Sequence, residues 1–184
     1  MPLKKNSKVF VLTAIILIAI LGFYILLDSI EKPYGNDKES IEKVIKSIEG
    51  YENESIEILE IKDIYEERIV GFLSNNNPAY IQFTKNKKGN YEWIHIEKSE
   101  GHSFSPYLIF VPVPNEDSNV LKFMIVTNQE NNIAKMELEV NGEVIEQEFG
   151  VNQNSVYWIA LPKGKKHSFK YKYFDKDGNE IGNY

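Results

Sequence analysis

A run of nineteen uncharged, mostly apolar residues, Val9 to Leu27, constrains this chain more than any other feature. With a rise of roughly 1.5 Å per residue, a helix of about that length covers the ~30 Å hydrocarbon core of a bilayer. Lys4, Lys5 and Lys8 precede the run, while Asp28 and Glu31 follow it. Cations on one flank favour keeping that end in the cytoplasm. The expectation is a cytoplasmic basic N-terminus at 1–8 and a transmembrane signal anchor at 9–27. It places the protein in the cell membrane, single-pass, with the C-terminal domain extracytoplasmic. A cleaved signal peptide is the competing reading, but its apolar stretch is shorter and ends at a small-x-small site. Here the run ends Phe23-Tyr24-Ile25-Leu26-Leu27, which is bulky throughout.

The first 27 residues hold three Lys and no acid, leaving 18 basic groups against 27 acidic ones in 28–184. A part of that sign repels phosphate backbones, so no nucleic acid partner is expected. The chain has no Cys, which removes disulfides, thiolate metal sites and thiol catalysis. Arg68 is the single arginine, so a multi-arginine phosphate clamp is unavailable.

Past a linker at 28–36, Ile41, Val44, Ile45 and Ile48 recur at helical spacing behind Asn36 and Glu39, which have the form of a capping box. Gly50 is placed to end that helix. Period-two segments follow at Ser55 to Ile61, Tyr65 to Leu73, Ala79 to Thr84 and Tyr91 to Glu97. Residues 37–100 therefore read as an α+β domain, one helix on an antiparallel sheet. From 106 to 184 the pattern is β, with strands expected at 107–113, 120–127, 133–140, 143–149, 155–161 and 167–174. Asn141-Gly142 is the sharpest hairpin signal. The whole reads as a transmembrane helix, an α+β layer and a mainly-β, sandwich-like C-terminal half.

On Ile133 to Phe149, Ser155 to Leu161 and Phe169 to Gly178, the C-terminal half resembles immunoglobulin-like and fibronectin type III-like modules, without their paired Cys. The short basic start, apolar run, Cys-free remainder and Ile/Lys/Asn/Glu-rich wording resemble membrane-anchored extracytoplasmic proteins of low-GC Gram-positive bacteria. That resemblance implies location and no activity.

Several segments invite a chemical reading. Gly101-His102-Ser103-Phe104-Ser105 approximates a nucleophile elbow, but Ser105 stands where the second glycine belongs and Pro106 leads into a strand. Asp175 to Glu180 opens like a calcium loop, yet the chain ends at Tyr184 before a twelfth-position Glu. A hairpin turn is the simpler reading. His95, His102 and His167 are too far apart in sequence to form a paired metal motif. Neither a metal, a cofactor nor a catalytic residue is assigned.

Two contact surfaces remain. Strict alternation would put Tyr91, Trp93 and His95, with Glu97, on one strand face and Ile94 with Ile96 in the core. That aromatic face is the expected contact for a protein partner of the cell envelope. Lys85, Lys87 and Lys88 form one basic loop, and Lys163, Lys165 and Lys166 another, the expected contacts for cell-wall glycan or anionic polymer. The leading expectation is a non-enzymatic, membrane-anchored interaction module; the alternative is a wall-polymer binding protein or hydrolase.

Overall fold

The computed structural model describes residues 13, 15–20, 33–116, 119–162 and 168–182. Of these, 51% lie in strands, arranged as three sheets with two short helices. This corrects the fold expected from the sequence. No helix among the described residues is long and apolar enough to cross a membrane. Residues 15–20 are helical and exposed. Residues 1–8, 9–12, 14 and 21–27 lie outside the described residues. The single-pass membrane placement is thus unsupported and is set aside with the spanning helix.

The chain divides into two compact units, Met1–Pro33 and Tyr34–Tyr184. In the second, the helix α1 (Lys38–Lys46) starts on a capping box between Asp37 and Ser40, one residue later than the Asn36 expectation. Asp37 Oδ1 accepts from the Ser40 amide at 2.8 Å, and Ser40 Oγ accepts from the Asp37 amide at 2.9 Å. Asn36 instead ties the linker to a strand, accepting from the Tyr91 amide. Ile41, Val44 and Ile45 are fully buried, each contributing roughly 1.5–3 kcal/mol of transfer free energy.

The first sheet has the order β1 (Ile56–Ile64), β2 (Glu67–Ser74), β3 (Asn77–Lys85), β4 (Tyr91–Lys98). The second is β5 (Phe104–Pro112), β6 (Asn119–Thr127), β9 (Ser155–Ile159). The third runs β11 (Glu180–Ile181), β10 (Phe169–Phe174), β7 (Lys135–Val140), β8 (Glu143–Glu148). All the pairings are antiparallel. Asn141 and Gly142 both take positive φ, the geometry that a two-residue hairpin between β7 and β8 requires.

Three apolar clusters stack these elements. Val70, Phe72, Ile81 and Phe83 meet α1 on one face of the first sheet. Ile69, Leu73 and Tyr80 on its other face meet Tyr107, Ile109, Met124 and Val126 of the second sheet. Phe123, Ile125 and Ile159 then meet Met136, Leu138, Val140 and Tyr173 of the third. The second sheet is covered on both faces, and with the third it forms a β-sandwich. Gly71 lets the first and second sheets approach: a Cβ there would lie 2.7 Å from Val156 Cγ2.

Arg68 fixes the linker to the first sheet. Its guanidinium donates to both Asp63 carboxylate oxygens at 2.7 and 2.8 Å and to the carbonyls of Gly35 and Asn36. It also lies 3.9 Å from the Tyr91 ring centroid. The hydrogen bonds from Arg68 hold the Asp63 carboxyl below its ordinary range.

Candidate functional site

The expected face of Tyr91, Trp93 and His95 does not form. The pairing of β3 with β4 shifts between Gln82↔His95 and Phe83↔Trp93, leaving Ile94 as an extra residue on β4. Such a bulge reverses which face the following residues occupy. Tyr91 and Trp93 fall on the α1 side with Phe83, whereas His95 and Glu97 fall opposite, across from Gln82 and Tyr80. Tyr91 is core, 8% exposed, donating to Asp63 Oδ2 at 3.2 Å beneath Arg68. Trp93 and Ile94 are 43% and 51% exposed, while Ile96 packs on the α1 cluster.

His95 lines a cleft of about 280 Å³ together with Tyr80, Gln82, Glu97, Leu108 and Phe110. It sits where the β4 side of the first sheet meets β5 of the second. Phe110 is 58% exposed and forms one wall. Tyr80 is almost fully buried, its ring 5.4 Å from His95 and 4.8 Å from Tyr107. Burial pushes the Tyr80 phenol up to about 12, so it stays neutral at physiological pH. Gln82 Nε2 donates to Glu67 Oε2 at 2.9 Å and to the Phe110 carbonyl at 3.1 Å. Glu67 is 3% exposed, and among the described residues no Lys, Arg or His forms an ion pair with it. His95 Nε2 lies 3.7 Å from Glu97 Oε2.

The backbone at this cleft is asymmetric. The Tyr91 amide and carbonyl turn away from β3, to Asn36 and Gly35. Carried through the register and the bulge, that alternation turns Trp93, Ile96 and Lys98 outward. β4 is the edge of the first sheet, and among the described residues its one strand partner is β3. On β5 the Phe110 carbonyl points outward to Gln82, and the Ser103 carbonyl accepts from Asn128 of the β6 side. Pro106 and Pro112 therefore occupy outward positions, where they remove the donors that another strand would need. Edge pairing is blocked on β5, whereas β4 is occupied by the linker at Tyr91 and keeps an open stretch beyond its bulge.

The remaining sequence candidates separate. Lys85, Lys87 and Lys88 lie at the β3–β4 turn, with Lys85 Nζ 5.7 Å from the Tyr91 ring. Lys163, Lys165 and Lys166 lie outside the described residues, as does His167. Asp175 caps its own turn, accepting from the amides of Asp177 and Asn179 and from the Asn179 side chain; those bonds lower its pKa. Ser105 is buried within β5. Among the described residues no group of three His, Asp or Glu is arranged to hold a metal ion.

Sequence reasoning missed Tyr80, Gln82, Phe110 and Glu67. The phase of Pro106 and Pro112 within an otherwise apolar strand was the available signal for the β5 edge. Against protein-family models, curated proteins and solved structures alike, the chain has no match.

Proposed function

We propose that this chain is a non-enzymatic protein-interaction module that presents the β4 edge and the adjoining β5 side chains to a protein partner. The observation that carries this reading is the exposed Phe110 at the cleft of His95 and Glu97, on a strand edge whose Trp93 and Ile94 are also exposed, Trp93 on the opposite face. Exposed aromatic and branched side chains beside unpaired strand amides are the features that partners engage by strand addition. The C-terminal sandwich we read as immunoglobulin-like. Its division into three strands (β5, β6, β9) and four (β11, β10, β7, β8), with β6→β7, β8→β9 and β9→β10 crossing between sheets, supports that reading.

The test is recovery of a partner by affinity capture from the cells that produce the protein. Trp93→Ala combined with Phe110→Glu should abolish recovery of a partner held by the unmodified chain. Val144→Glu, on the β8 edge and 61% exposed, should leave it intact. Equal recovery by all three folded proteins would remove the edge cleft as the contact.

A further inference from the structure

We propose that the cleft between β4 and β5 seats a lysine or arginine side chain of an extended peptide segment, which pairs along the open edge of β4. The inference rests on the interaction-module reading and names the chemistry of the partner.

Three observations converge on a basic, extended occupant. The first is backbone: β4 is the edge of its sheet, and past the bulge the alternation turns the amides and carbonyls of Ile96 and Lys98, two residues apart, outward, while the prolines of β5 deny that option on the other lip. The second is charge. The register puts Glu92, His95 and Glu97 on one face of β4, and Glu67 is buried behind Gln82 with that amide as its side-chain partner. The neighbouring cation of β4, Lys98, is engaged elsewhere, with Glu54 and Glu100. The third is shape: Phe110 and Tyr80 flank the cleft, and aromatic walls beside carboxylates suit the aliphatic stem and charged head of a long cation.

The bulge at Ile94 adds a pattern. An added strand alternates its side chains, so residues facing His95 and Glu97 would meet acid and aromatic groups. Those between them would lie on the side of Trp93. The occupant is therefore a period-two segment with Lys or Arg at alternate positions and apolar residues between. An acidic chain, with 27 acidic groups against 21 basic, favours the approach of such a segment over long range.

The test uses short random peptides displayed on phage and selected against the full chain. Enriched peptides should carry Lys or Arg at alternate positions, and binding should weaken about tenfold or more in Glu97→Lys and in Phe110→Glu. Both side chains are more than half exposed, so these variants should fold. A peptide with its Lys changed to Glu should regain binding to Glu97→Lys. Hydrogen exchange should slow at the amides of Trp93, Ile96 and Lys98 when peptide is bound. Enriched peptides without a basic residue, or protection at another surface, would overturn this inference and leave the interaction-module reading standing. Concentration-dependent self-association that protects the same amides would overturn it in favour of a second copy of the chain. Absence of enriched peptides together with no partner in the capture experiment would overturn both.

Discussion

Gly71→Ala examines whether the first and second sheets share one core. A methyl at this position would lie 2.7 Å from Val156 Cγ2 and 3.5 Å from Val126 Cγ2. Carbon pairs prefer about 3.5–4.0 Å, so the β9 contact must open by roughly 1 Å or Val156 must leave its rotamer. Overpacking of that size costs about 1–3 kcal/mol. Against it, the glycine φ is not in the left-handed region, so alanine restricts the unfolded chain and returns about 0.4–1 kcal/mol. A net loss of about 0.5–2 kcal/mol is expected. Val156→Ala alone should also destabilise, by about 0.8 kcal/mol for each buried carbon removed. Combined, the alanine at 71 fills space vacated at 156, so the double variant should be more stable than the sum of the singles predicts, by about 1 kcal/mol or more. Urea unfolding followed by circular dichroism gives the four free energies. Strict additivity, or a Gly71→Ala variant as stable as the parent, would refute the contact and with it the stacking of β2 on β9.

Other expectations follow from the same geometry. Arg68→Lys should destabilise by about 1–3 kcal/mol, because Lys cannot reproduce the fork that holds Asp63 and two linker carbonyls; thermal unfolding reads it, and an unchanged midpoint would contradict the staple. Tyr91→Ala should lower stability, whereas Trp93→Ala should leave it nearly unchanged and act on partner recovery. Since Tyr80 is raised to about 12 from an ordinary value near 10, its contribution is complete below pH ~10 and lost as pH rises through the folded value. Stability should therefore fall between those limits, and Tyr80→Phe should flatten that alkaline limb. Asp63 works in the opposite sense: its pKa is lowered, so its contribution is present above pH ~4 and declines as pH falls through the folded value. Asp63→Asn should flatten that acid limb of the stability profile.

Individual strands were legible because their alternation and turn residues are local. Asn141-Gly142 took the expected turn, and strands lie at each expected β segment. The layering was harder, because a strand buried on both faces loses its alternation. Ile69-Val70-Gly71-Phe72-Leu73 and Phe123-Met124-Ile125-Val126 carry that mark, and both lie between two apolar layers. The candidate site was misread at one residue. Ile94 as a bulge cannot be told from Ile94 as a paired residue by composition, yet it moves His95 away from the face of Trp93. Apolarity was also insufficient for the stretch at 9–27, where a spanning helix was expected and the described residues contain none.

The central claim is that the β4 edge is where a partner binds, and site-specific photo-crosslinking tests it most directly. A photoreactive residue replacing Ile94 should give one discrete adduct in the producing cells, and the same residue replacing Val144 should give none. Both positions are more than half exposed, so labelling efficiency is matched. An adduct at 144 with none at 94, or the same diffuse labelling at both, would contradict the account.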